Sequence, residues 1–321
     1  MKKLTYVQAI REAVKQEMDR DSSVFYIGED VVAGVHGISA GLHEIYGDER
    51  IRNCPISEAA FTGMGVGAAA MGKRPIVEIM YSTFLYIAMD QIINQASKMR
   101  YMFAGQASVP MVISAVTSYR GAGAAHHSDT VYPMFLGLPG IKVVYPSGVK
   151  DAKGLFAAAV RDNNPVLFLH GALLLRKKEE IPDGEYVIPL GKANVIQEGH
   201  DVTIIGVGNT VEVAVEAAKK LEGKYSVEVI DPRTVNPLDM DTILASVEKT
   251  GRLVTVEDIY PTGGVGAEVA AQINEKLFGK MKAPLARVTR GCVPMPFSPL
   301  LEKMIVTNAD KVVSAVERIM S

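Results

Sequence analysis

Apolar residues along this chain recur in two rhythms. Short unbroken runs, of the length expected for buried strands, alternate with longer segments whose apolar positions return every three or four residues. The runs at 24–27, 76–80, 109–116, 141–145 and 166–169 predict strands, and the segments 57–71, 84–102 and 151–161 predict helices. Near the start, Thr5 and Gln8 have the spacing of a capping box, and Val7, Ile10, Val14 and Met18 then share one helical face. The pattern breaks between about Arg176 and Leu190, where charged residues, Pro182, Asp183-Gly184 and Pro189 read as a linker. A second alternation follows, with strands at 201–207, 227–230, 253–256 and 285–288 and helices at 211–221, 239–249, 265–277 and 311–320. Apolar strands alternating with helices imply parallel sheets covered on both faces. The fold class is therefore α/β, with two doubly wound domains at 1–180 and 190–321.

Composition narrows the function. The chain has 321 residues and a net charge of −2, and its Lys and Arg residues are scattered, so neither a nucleic acid nor a membrane surface is an expected partner. No run reaches the roughly 20 apolar residues that cross a bilayer. Cys54 and Cys292 are the only cysteines, too few and too far apart for a disulfide framework or a zinc site, and the chain reads as cytoplasmic.

Several motifs have ordinary readings. Gly37-Ile38-Ser39-Ala40-Gly41 matches the spacing of a hydrolase nucleophile elbow, but the loop-like Gly34-Val35-His36-Gly37 stands where a strand is required. Gly206-Val207-Gly208 lacks the third glycine of a dinucleotide fingerprint and reads as a tight turn. Gly263-Gly264-Val265-Gly266 lacks the Lys-Ser/Thr of a phosphate loop and reads as a turn into a closely packed helix. The small-residue helix from Gly63 to Gly72 carries glycines that each cost up to about 1 kcal/mol against Ala. Close approach by another helix is the expected compensation.

Two residues stand out as chemical candidates. Glu58 opens that small-residue helix with little polar company; Ser57 could cap the helix, and its dipole would favour the carboxylate. A buried carboxylate can also share a proton with a heterocycle nitrogen. His127 follows the Gly/Ala loop Gly121–Ala125 and is an acid/base candidate. The pair His126-His127 has no further ligand cluster to make a metal site.

The order Pro55-Ile56-Ser57-Glu58, Arg74-Pro75-Ile76, Met89-Asp90-Gln91-Ile92-Ile93-Asn94, His127-Ser128, Leu138-Pro139-Gly140, Asp151-Ala152-Lys153-Gly154, Asn164-Pro165-Val166, Ile230-Asp231-Pro232-Arg233 and Met295-Pro296-Phe297 runs through the whole chain. It resembles the β subunit of the thiamine-diphosphate-dependent E1 component of 2-oxo acid (pyruvate or branched-chain) or acetoin dehydrogenase complexes. The resemblance implies a pyrimidine-binding domain followed by a transketolase C-terminal-like domain. It implies that Glu58 hydrogen-bonds N1′ of the cofactor aminopyrimidine, that Ile56, Phe84 and Ile87 lie beside that ring, and that His127 is an acid/base toward the substrate or lipoyl group. It places a structural monovalent cation such as K⁺ near Asp162 and Asn164. The Gly-Asp-Gly motif that holds Mg²⁺ and the diphosphate in such enzymes does not occur here. Thiamine diphosphate and Mg²⁺ would then be held with a partner α-type subunit, in an α₂β₂ heterotetramer that passes an acyl or hydroxyalkyl group to a lipoyl-bearing E2 component.

Ser114-Ala115-Val116 stands where many members carry an Arg-Gly-Pro-like run, His127-Ser128-Asp129 replaces His-Ser-Gln, His170 replaces a common Glu, and Ile87 replaces a polar residue. Tyr81-Ser82-Thr83-Phe84-Leu85 also resembles deoxyxylulose-phosphate synthase. The alternatives are a two-subunit transketolase-like enzyme for a sugar phosphate and a non-catalytic assembly subunit.

Overall fold

The apolar runs become parallel strands in the computed structural model, which describes all 321 residues. The chain divides into two units, one of residues 1–117, 137–144 and 148–190 and one of residues 118–136, 145–147 and 191–321. The polar side chains of the segments 118–136 and 145–147 pair within the second unit.

In the first unit β1 (Lys2–Thr5) leads into α1 (Tyr6–Arg20), where Thr5 and Gln8 form the capping box. Next come β2 (Val24–Gly28), α2 (His43–Arg50), β3 (Ile51–Asn53), α3 (Glu58–Ala70), β4 (Arg74–Tyr81) and α4 (Ser97–Met102). β5 (Val112–Thr117), β6 (Lys142–Val144), α5 (Val149–Arg161), β7 (Val166–Gly171) and β8 (Lys178–Ile181) complete it. Its main strands lie in the order β6-β7-β5-β4-β2-β3, all parallel, with Tyr26 beside Ile76 and Val112 beside Val166. One face buries Tyr6, Ile10 and Val14 of α1 and Leu155 and Phe156 of α5. The expected linker holds a strand, since β8 pairs antiparallel with β1.

The small-residue helix α3 meets the sheet and not a second helix at Gly65, where a Cβ would lie 2.6 Å from Cγ2 of Val77 on β4. Segment 84–102 is not one α-helix. A tight 3₁₀ turn at Ser82–Ala88 gives way to a π-helical stretch at Asp90–Ala96 and then to α4. Such wide turns recur at functional sites.

In the second unit the elements are β9 (Asn194–Gln197), β10 (Val202–Gly206), α6 (Thr210–Lys220), β11 (Val227–Asp231), β12 (Thr234–Asn236), α7 (Met240–Thr250), β13 (Leu253–Val256), α8 (Val265–Leu277), β14 (Ala286–Val288), α9 (Pro299–Ile305) and α10 (Ala309–Met320). The sheet order is β14-β13-β10-β11-β9, parallel except for the edge strand β9. Gly208 closes the turn before α6 at φ 57°, and a Cβ there would fall 2.1 Å from the Tyr145 ring. No helix in the chain is long and apolar enough to cross a membrane.

Candidate active site

Glu58 is placed by a turn that the parallel sheet dictates. β3 ends at Asn53, Cys54 N–H donates to the Gly28 carbonyl at 2.8 Å, and the chain then enters α3. Ser57 does not cap with its side chain; its hydroxyl donates to the Pro55 carbonyl at 3.0 Å. Its carbonyl accepts from Ala60 and Phe61 instead. Glu58 is only 4% exposed, and its carboxylate makes no hydrogen bond or ion pair. The first turn of α3 turns the positive end of its dipole to the carboxylate. Ile56, two residues earlier, is 83% exposed.

A second carboxylate, Glu29, interacts electrostatically with Glu58, and sequence reasoning did not single it out. Glu29 follows β2, one of its oxygens is buried without a partner, and its pKa is raised, first by burial and then by the negative charges of Glu58 and Asp30. The available signal was its position: an acid just beyond the carboxyl end of a parallel strand, where α/β folds bind ligands.

Phe84 sits in the 3₁₀ turn after β4. Its ring meets Tyr81 edge-on at 5.7 Å, and Tyr81 meets His36 edge-on at 5.2 Å. Ser82 donates to the Thr117 hydroxyl at 2.9 Å, which ties this turn to the end of β5. Tyr86 and Ile87 are about half exposed, so the turn presents an apolar surface with Phe84 in it.

His127 lies in the second unit, in a 3₁₀ turn at Ala125–His127. The preceding loop holds Ala122 and Ala124 at φ 57° and 55°, a left-handed conformation that alanine rarely adopts. Ala122 N–H donates to Glu302 at 3.2 Å. On the other side Asp129 is gripped by the fully buried Arg290 and by the Tyr260 hydroxyl at 3.1 Å, while the guanidinium lies 4.3 Å from the Tyr260 ring centroid. The Asp of His127-Ser128-Asp129 is therefore an anchor for the loop. The pKa of His127 is lowered by burial first, then by the positive charges of Arg120 and His126. The ring is neutral at pH 7 and able to accept a proton.

Asp162 and Asn164 are brought together just past α5, the Asp162 carboxylate accepting from the Asn164 backbone N–H at 2.9 Å and from its side-chain amide at 3.1 Å. Burial pushes the Asp162 pKa up, but the Lys142 ammonium and the Asn164 donors outweigh it, and the net shift is down.

The other motifs are structural. Ser39 is buried in a loop with no strand before it, so no nucleophile elbow forms. The glycine turn before α8 holds a carboxylate of the protein's own: Glu257 accepts from Val265 and Gly266 N–H at 2.8 and 2.7 Å.

Two parallel sheets in sequence, with a buried acid at the carboxyl edge of the first, define a transketolase-type protein. Residues 2–177 match the transketolase pyrimidine binding domain, and residues 191–312 match the transketolase C-terminal domain. The β subunit of acetoin:2,6-dichlorophenolindophenol oxidoreductase from Cupriavidus necator is 43% identical, over 99% of this chain and 98% of its own. The β subunit of 2-oxoisovalerate dehydrogenase from Bacillus subtilis is 42% identical over 99% of each. A solved split-gene transketolase, described as an inactive beta4 tetramer, shares the fold with a TM-score of 0.80 at 23% identity, covering 99% of this chain and 98% of its own. The chain belongs to the family of β subunits of the thiamine-dependent E1 components of acetoin and 2-oxo acid dehydrogenases.

Proposed function

We propose that this chain is the β subunit of an α₂β₂ E1 enzyme that cleaves acetoin or decarboxylates a small 2-oxo acid and delivers the hydroxyalkyl or acyl group to a lipoyl-bearing E2 component. The observation that carries the reading is Glu58, a buried carboxylate with no partner at the start of α3. The residues around it fit the aminopyrimidine of thiamine diphosphate. Glu58 lacks the donor that a protonated ring nitrogen supplies, and Ile56 and Phe84 offer apolar surface for the ring. When bound, the cofactor supplies a carbon nucleophile and an electron sink for breaking the bond beside a carbonyl. Glu58 holds the proton at pyrimidine N1′. Glu29, charged or neutral, sets the electrostatic field in which Glu58 does so. Ile56, Phe84 and Ile87 would flank the ring when it is bound and exclude water there, which would strengthen a hydrogen bond to Glu58. His127, neutral at pH 7, takes and returns protons on the substrate side. The chain has no Gly-Asp-Gly motif, so Mg²⁺ and the diphosphate fall to the α-type partner.

Calorimetry tests the shared cofactor. Thiamine diphosphate with Mg²⁺ is expected to bind the assembled pair and not the isolated chain; tight binding to the isolated chain overturns the two-subunit reading. Turnover of the pair with acetoin, pyruvate and 2-oxoisovalerate, with a lipoyl domain present, then separates the substrates. A sugar phosphate turned over without stimulation by a lipoyl domain would move the enzyme to ketol transfer. His127→Gln is expected to lower kcat about tenfold with cofactor affinity unchanged, and to remove the acidic limb of the pH–rate profile below pH 6.5. An unchanged limb would take His127 out of the proton transfers.

A further inference from the structure

The carboxyl end of α5 is where the family resemblance places a monovalent cation. A helix end leaves its last carbonyls without donors inside the helix, and a cation is one way to satisfy them. In this chain the carbonyls of Ala159, Val160 and Asp162 already have donors. One guanidinium nitrogen of Arg74, Nη1, donates to the Val160 carbonyl and to the Asp162 carbonyl, at 2.9 Å each. The other, Nη2, donates to Asn163 Oδ1 at 2.6 Å. The Ala159 carbonyl accepts from Asp162 N–H at 3.3 Å. The Asp162 carboxylate is taken by Lys142 on one oxygen and by Asn164 on the other, and Asn164 Oδ1 accepts from Arg100 at 3.2 Å. The donor set therefore does not fit a monovalent ion. To bind at these carbonyls, K⁺ would have to shed water, displace guanidinium bonds and settle against fixed positive charge.

We propose that Arg74 is the built-in cation of this helix end, and that with Lys142 it takes the place of the monovalent cation, so that the protein folds and assembles without K⁺. The guanidinium suits the role because it is charged at every working pH and presents several N–H groups in a rigid fork, which lets one side chain serve two carbonyls and an amide. Its position suits it as well. Arg74 is the first residue of β4, its backbone N–H donates to Ser23 at 3.0 Å, and its Nε lies 3.8 Å from Asp21. The one side chain thus joins the end of α1, the start of β4 and the end of α5, all in the first unit. An exchangeable ion would coordinate the same carbonyls but would not be covalently attached to the sheet. The inference does not depend on the substrate or on the cofactor reading.

The test is the thermal unfolding of the chain assembled with its α-type partner, in KCl and in choline chloride at matched ionic strength. The unaltered protein is expected to melt at the same temperature in both. Arg74→Met is expected to melt roughly 5 °C lower in choline chloride. In that variant KCl, and not choline chloride, is expected to restore part of the loss, since the freed carbonyls become a site for the ion. A saturable, K⁺-specific rise in the unaltered protein would overturn the proposal. So would an Arg74→Met loss indifferent to K⁺. If Arg74→Met does not fold, thallium-205 resonance of the unaltered protein decides: a bound Tl⁺ signal displaced by K⁺ counts against the proposal, and its absence counts for it.

Discussion

Glu58→Gln in the assembled enzyme lowers kcat by at least about 10²-fold while the subunits still associate and the protein melts at an unchanged temperature. The amide preserves the volume of a buried side chain but cannot exchange a proton with a ring nitrogen. Nothing in the native fold depends on the carboxylate, because it makes no hydrogen bond and no ion pair there. The isosteric substitution is therefore close to neutral for stability. The pairing of lost turnover with retained melting temperature separates a catalytic role from a structural one. Near-normal turnover in this variant would return the chain to the reading of a non-catalytic assembly subunit.

Acid destabilises the first unit through His170. This histidine on β7 is fully buried, 2.7 Å from the Ser114 hydroxyl, with its ring centroid 6.3 Å from that of Phe156, 5.1 Å from that of Phe168 and 6.2 Å from that of Tyr6. Burial, and then the charge of His36, pushes its pKa down to about 3 from an ordinary 6.5. A histidine with a depressed folded pKa must stay neutral, so the stability it permits is complete above 6.5 and is lost as the pH falls toward 3. At pH 4.5 two units of that gap are expressed, a loss of roughly 3 kcal/mol. In His170→Gln this component vanishes while the carboxylates that also titrate remain. Urea unfolding at neutral pH and at pH 4.5 should show the smaller acid loss in the variant. Equal losses in both proteins would mean that His170 gains a partner or water on protonation. Ser114 and His170, two positions where the chain departs from the common family pattern, are thus one hydrogen-bonded pair.

The amino-acid order alone made most of the architecture legible. Strands buried on both faces must be almost wholly apolar, and helices on a sheet must be apolar on one side, so β2, β4, β5 and β7, and in the second unit β10, β11, β13, β14, α6, α7, α8 and α10, can be read from local periodicity. Motif order singled out Glu58 as a candidate, because the residues that carry the motif are contiguous. The linker was read from its charges and prolines, although β8 lies inside it: an edge pair with β1 needs no apolar signature.

Only the tertiary structure decided which polar groups meet. Ser118 with Asp258, Tyr132 with Glu257 and Asp129 with Arg290 are pairs 140, 125 and 161 residues apart, and they tie the segment 118–136 into the second unit. The same holds for the electrostatic interaction of Glu29 with Glu58, for Glu257 filling the turn of Gly263–Gly266, and for Arg74 reaching the end of α5. Burial is a property of single positions with a local period, so it is written along the chain. A hydrogen bond or an ion pair is a property of two positions, and the chain must fold before its partner exists.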